Sequence, residues 1–213
     1  MKTRPILFNT EMVGAILEGR KTQTRRVIDV SRQLRGYRPE HGNYEIGWAT
    51  DTDGYWSLGI GESALCVKCP YGKAGDRLWV REKFCIGAVV GAEQGEGLPD
   101  VSYVSQCEGE EDYIPYEACI SEYIGIEDVL WKPSIHMPCW ASRITLEITD
   151  IRVERLQEIN AKGTCAEGLP KGINDNGFDW FQNLWNSIYK KQYRWGDNPW
   201  VWIITFKIVI EKK

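Results

Sequence analysis

The sequence predicts an α+β fold of mixed strands flanked by helices and interrupted by a long acidic insertion. Three observations predict it. Alternating or continuous apolar runs at Pro5–Phe8, Asp76–Phe84, Arg143–Thr149 and beyond Pro199 read as strands. Between them, Thr10–Glu18, Asn160–Glu167 and Phe178–Tyr189 read as short helices. The charge is also uneven: residues 1–38 are strongly basic, whereas no Lys or Arg occurs between Phe84 and Trp131.

The helix at Thr10–Glu18 places Met12, Val13, Ile16 and Leu17 on one face, and Gly19 stands where a helix would stop. A strand is expected from Thr24 to Val30, and a polar exposed loop over Ser31–Asp53. Gly54–Ile60 reads as a hairpin arm. In Asp76–Phe84, Leu78, Val80 and Glu82 face one way, and Arg77, Trp79, Arg81 and Lys83 the other. Ile144, Leu146 and Ile148 share a face, after which the apolar parity moves to Ile151 and Val153, predicting a bulge near Asp150. Asn160 is a suitable N-cap and Gly168 a suitable stop for the short helix between them. The next helix should turn Phe178, Phe181, Leu184, Trp185 and Ile188 inward. In the last strand Trp200, Trp202, Ile204 and Phe206 take one face, and Val201 and Ile203 the other, the pattern of a central strand.

At 213 residues one domain over 1–213, with an inserted acidic segment at about 85–130, is the natural expectation. That insertion reads either as a solvated decoration or as a lid over a basic cleft. A net charge of −4 argues against a non-specific nucleic-acid coat, while ten tryptophans suit both a β-rich fold and base stacking. Seven cysteines without framework spacing point to reduced thiols and a cytoplasmic location. Met1-Lys2-Thr3-Arg4 leads into only a four-residue apolar stretch, so no signal peptide is expected, and no membrane contact.

The most informative run is Gly19-Arg20-Lys21-Thr22-Gln23-Thr24-Arg25-Arg26, with four cations in seven residues. Alternation puts Thr22, Thr24 and Arg26 on one side of the strand and Gln23 and Arg25 on the other, with Lys21 in the turn. From the residues alone it is either a solvated basic turn or an anion or nucleotide site. In the second case Thr24 supplies a hydroxyl and Arg26 a forked donor. Crowding by Arg20, Arg25 and Arg26 disfavours the Lys21 ammonium, whereas a helix C-terminus favours it.

The run resembles the G-x-K-x-x-T-x-R signature of the ASCH family, a branch of the PUA-like β-barrel superfamily, through Gly19, Lys21, Thr24 and Arg26. Four segments are similar to phage- and prophage-encoded ASCH proteins: PILFNTEMVGAILEGRKTQTRR (5–26), CPYGKAGDRLWVRE (69–82), WKPSIHMPCWASRITLEITDIRVERLQEI (131–159) and NPWVWIITFK (198–207). The resemblance implies a PUA-like mixed β-barrel and action on, or recognition of, a modified nucleoside or RNA. Small ASCH enzymes that deacylate N4-acetylcytidine use a lysine and a threonine of the signature and a glutamate from a later helix. Laid over that pattern, the catalytic positions fall on Lys21, Thr24 and Glu167. Lys21 would attack or position the acyl carbonyl, Thr24 relay a proton or bind the oxyanion, and Glu167 shuttle protons.

This chain is about twice the length of those enzymes. It also carries Trp79-Val80-Arg81-Glu82 and Trp140-Ala141-Ser142-Arg143, which look typical of the phage branch. Arg20, Arg26, Trp79, Arg81 and Arg143 are therefore the candidate substrate-binding residues. The alternatives are a non-catalytic RNA- or nucleotide-binding module and an ASCH-type ribonuclease. Cys66-x-x-Cys69 and His136-x-x-Cys139 have zinc-ligand spacing. Both signals are weak, and the related phage proteins commonly carry arginine at Cys139, so neither a metal nor a cofactor is expected. No protein partner is inferable.

Overall fold

A strand that is apolar on both faces must be covered on both, which makes Trp200–Val209 a natural interior strand of a sheet. In the computed structural model, which describes residues 1–29, 48–50, 55–60, 63–84, 132–173 and 177–209, it holds that position. Eight strands are described: β1 Thr3–Leu7, β2 Gln23–Val27, β3 Trp48–Thr50, β4 Tyr55–Ile60, β5 Ser63–Lys68, β6 Arg77–Arg81, β7 Thr145–Arg155 and β8 Trp200–Val209. Five of them form a mixed sheet in the order β1-β6-β7-β8-β2, and β3-β4-β5 form a separate antiparallel sheet. Only the β1–β6 pair is parallel; β6–β7, β7–β8 and β8–β2 are antiparallel.

The two faces of β8 bury different layers. Trp202, Ile204 and Phe206 join Met12, Val13 and Ile16 of helix α1 (Thr10–Leu17) in one core. Val201 and Ile203 join Phe181 and Trp185 of helix α3 (Phe178–Ile188) in the other. Helix α2 (Ala161–Ala166) sits between them in sequence, with the Asn160 side chain accepting from the Gly163 amide at its start. The expected bulge is present as a register shift between Ile148 and Asp150.

Three expectations need correction. The five-stranded sheet does not close into a barrel among the described residues: β1 and β2 are its two edges. A side chain spans that gap instead of a backbone ladder, since the Arg26 guanidinium of β2 donates to the Leu7 carbonyl of β1. Trp48–Thr50, expected in a loop, pairs with β4. Leu17 and Ile188, expected inward, are 47% and 51% exposed, because each falls in the last turn of a short helix beyond the covering layer. The acidic insertion at 85–130 and the remainder of the polar segment at 31–53 lie outside the described residues.

Candidate functional site

Two chain reversals, far apart in sequence, bring the site together. Asn9 caps α1 by accepting from the Met12 amide, and Gly19 ends the helix at φ +73°, the left-handed region that glycine enters without a Cβ clash. The Arg20 and Lys21 amides then both donate to the Ala15 carbonyl at 2.9 Å, folding the chain back toward β2. On the other side Gly168, at φ +99°, turns the chain after α2. Glycine is required there twice over, because an added Cβ would stand 3.0 Å from Ala15 Cβ and 3.1 Å from Lys21 Cβ. Lys21 and Glu167 form an isolated antiparallel bridge, and the Thr22 amide donates to the Ala166 carbonyl at 2.9 Å.

That backbone contact delivers the side chains. Lys21 Nζ donates to Glu167 Oε2 at 2.8 Å and to the Glu167 carbonyl at 2.9 Å. Arg25 Nη1 donates to the other carboxylate oxygen at 3.0 Å. All three residues are buried, at 3%, 4% and 3% exposure. One carboxylate thus holds two cations away from water, which requires both of its oxygens to be paired. Burial pushes the Lys21 ammonium below its ordinary range; the Glu167 carboxylate opposes this, and Arg26 and Arg25 reinforce it. Desolvation outweighs the crowding by neighbouring cations that the sequence suggested, and Arg20 takes no part.

The pair lies in the wall of a cavity of about 360 Å³, lined also by Thr24, Arg25 and Arg26 of β2 and by Phe8. Most of its apolar and aromatic lining comes from α3 and the residue after it, through Phe181, Leu184, Trp185, Ile188 and Tyr189. The Trp185 and Tyr189 rings stack with centroids 4.5 Å apart. Lys21 Nζ and the Arg26 guanidinium lie 5.7 and 5.1 Å from the Phe8 ring centroid. The volume is that of a small-molecule site, and its lining combines apolar side chains with a few polar and charged groups.

Lys21, Thr24 and Glu167, named from sequence as one set, are therefore neighbours in one cavity, and Arg26 lines it too. The other expected ligand-binding residues stand elsewhere. Arg20 turns away to the Glu18 carboxylate and the Gly168 and Leu169 carbonyls. Trp79 is buried under the Arg81 guanidinium, which lies 4.6 Å from its ring centroid and donates to the Ile135 carbonyl. Arg143 makes a two-pronged contact with the buried Glu82 carboxylate, at 2.9 and 2.8 Å. The sequence reading missed Arg25, which strand alternation put on the face opposite Thr24. It also missed the α3 wall, because an amphipathic helix face reads as core whether it covers a core or a cavity.

Cys69 is buried, and burial pushes its thiol up to about 11, while His136 and Cys139 are exposed. The Cys66 side chain lies outside the described residues. Among the described residues no group of three or more His, Cys, Asp or Glu is arranged to hold a metal ion. No helix among them is long and apolar enough to cross a membrane.

No protein-family model and no curated protein matches the sequence. Among solved structures, the chain is similar to an ASCH domain from Lactobacillus crispatus JV V101. The identity is 10% and the TM-score 0.38, over 97% of this chain and 79% of that one.

Proposed function

We propose that the chain is an ASCH-type amidohydrolase that removes the acyl group from an N4-acylated cytidine or a similar modified nucleoside. The observation that carries this reading is the buried contact between Lys21 Nζ and Glu167 Oε2 in a cavity also lined by Thr24. Amide hydrolysis needs a base for water, a donor for the developing oxyanion, and an acid for the leaving nitrogen. Lys21, pushed toward its neutral amine by burial, takes a proton from a water molecule as that water attacks the acyl carbon. Glu167 balances the ammonium so formed, and the Thr24 hydroxyl donates to the oxyanion. The Lys21 ammonium then returns a proton to the amide nitrogen as the C–N bond breaks, releasing a carboxylic acid and the free amine. Lys21 serves better as base than as nucleophile, because an acyl-lysine is itself an amide and no easier to hydrolyse.

The stacked pair of Trp185 and Tyr189 and the Arg26 guanidinium suit the recognition of a planar base and its polar edges. The test is incubation of the purified protein with N4-acetylcytidine and chromatography for cytidine. Release that disappears in Lys21→Met with substrate binding retained supports the reading. If binding persists in the wild type without any release, the chain is a nucleoside-binding module instead.

A further inference from the structure

We propose that a second cleft, which shares Arg25 with the Lys21 cavity, binds a small oxyanion through Gln23, Arg25, Arg152 and Lys162. The cleft encloses about 280 Å³. Two of its wall residues, Gln23 and Arg25, are each 4% exposed and each keeps a buried donor without a partner among the described residues, Gln23 Nε2 and Arg25 Nε. A buried donor left unpaired costs free energy, so a wall with two of them calls for an acceptor.

The orientation of the Gln23 amide is set by its neighbour. Arg152 Nη2 donates to Gln23 Oε1 at 2.9 Å, and a guanidinium has no acceptor to offer, so the amide oxygen must face Arg152 and the NH₂ must face away. The carboxylates in the same wall are already engaged. Glu154 Oε1 accepts from Arg152 Nε at 2.7 Å and its Oε2 lies 3.7 Å from Arg25 Nη2, while Glu158 Oε2 accepts from the Arg155 amide. Arg25 in turn spends Nη1 on Glu167, and its Nε has no partner among the described residues. Arg25 is paired with Glu167 and Glu154, and Arg152 with Glu154 and Asp150, so Lys162 is the cation of this wall with no carboxylate partner among the described residues; one such cation beside two unpaired donors fits a compact monoanion such as a carboxylate or dihydrogen phosphate. This inference does not depend on any reaction at Lys21.

The test is an NMR titration of the arginine Nε–H resonances of the full chain with sodium phosphate and, separately, sodium acetate, with sodium chloride held at constant ionic strength. Arg25 Nε–H, assigned by comparison with Arg25→Lys, should shift and saturate with at least one of the two. Which of them saturates at the lower concentration identifies the ligand chemistry. Gln23→Leu should weaken binding about tenfold, as expected for losing one hydrogen bond to a charged group. The exposed Lys162→Ala, which leaves the fold alone, should weaken it by a smaller factor. An Arg25 resonance that responds to neither anion, or one that shifts equally in Lys162→Ala, Gln23→Leu and the parent, would overturn the proposal and leave the cleft as a water-filled space.

Discussion

Lys21 and Glu167 meet twice: through an antiparallel backbone bridge, and through a 2.8 Å contact between Nζ and Oε2. The first contact sets the two side chains next to each other, and burial of both favours the second. A side chain carried on a paired backbone has few ways to leave, so the amine and the carboxylate are fixed relative to each other before any ligand arrives. Both ends of the bridge are set by glycines in the left-handed region, Gly19 and Gly168.

Gly168→Ala tests that dependence without touching a polar group. The substitution forces a non-glycine residue to φ +99° and drives a methyl group against Ala15 and Lys21. We expect a loss of about 2–4 kcal/mol in urea denaturation, from strain and overpacking together. Gly19→Ala has the same backbone problem but meets nothing within 4 Å, so it should cost less, about 1–2 kcal/mol.

Lys21→Met keeps most of the volume and removes the charge. Glu167 retains Arg25, so the variant should fold, with a stability change well below the ~3–5 kcal/mol typical of stranding a buried charge. Glu167→Gln is the harsher change, because it removes the carboxylate between Lys21 and Arg25 and leaves the buried Lys21 ammonium without its partner. It should lose about 3–5 kcal/mol, measured by the same denaturation.

The acidity of Lys21 gives a pH signature. Its folded value lies below the ordinary 10.5, so between the two values the unfolded chain binds more protons than the folded one. Stability from this residue therefore rises with pH through that window and is lowest below it. Turnover that uses the neutral amine should likewise rise with pH, with an inflection below 10.5. Comparing denaturation midpoints of the wild type and Lys21→Met across that range isolates the residue: the wild type should gain stability relative to Met as pH increases.

Arg143→Ala separates a structural arginine from a ligand-binding one. Arg143 grips the Glu82 carboxylate, whose side chain is 2% exposed, and it does not line the Lys21 cavity. Its removal should cost about 3–5 kcal/mol of stability while leaving nucleoside affinity at low temperature unchanged. Equal loss of affinity would place the ligand on β6 and β7 after all.

The thiols offer a chemical check on burial. Cys69, held protonated to about pH 11, should resist alkylation in the native state at neutral pH, whereas the exposed Cys139 and Cys165 should react. Peptide-level mass spectrometry after a short iodoacetamide pulse reads this directly.

Much of this architecture is written locally in the chain. The two-faced apolar pattern of Trp200–Val209 marks a central strand, the parity change after Ile148 marks a bulge, and Asn160 with Gly168 brackets a helix. Each depends on residues within one or two turns of one another. The open sheet edge was not legible, because the contact between β1 and β2 is made by the Arg26 side chain on the Leu7 carbonyl, and not by a strand ladder that a sequence pattern would mark. Glu167 reads locally as a surface glutamate in a last helical turn; its burial comes from Lys21 and Arg25, which are more than 140 residues away in sequence. Resemblance of the later helix to the small ASCH enzymes, and not periodicity, was what singled it out. Arg81 and Arg143 show the converse, since an arginine beside aromatic residues has the same sequence appearance whether it serves a ligand or a buried carboxylate.

The central claim concerns chemistry at one amine, and single-turnover kinetics of the purified protein with N4-acetylcytidine, wild type beside Lys21→Met, reaches it most directly. The account predicts cytidine and acetate in equal amounts from the wild type, and none above the uncatalysed rate from a variant that still binds the nucleoside. Cytidine released at the same rate by both proteins would contradict it.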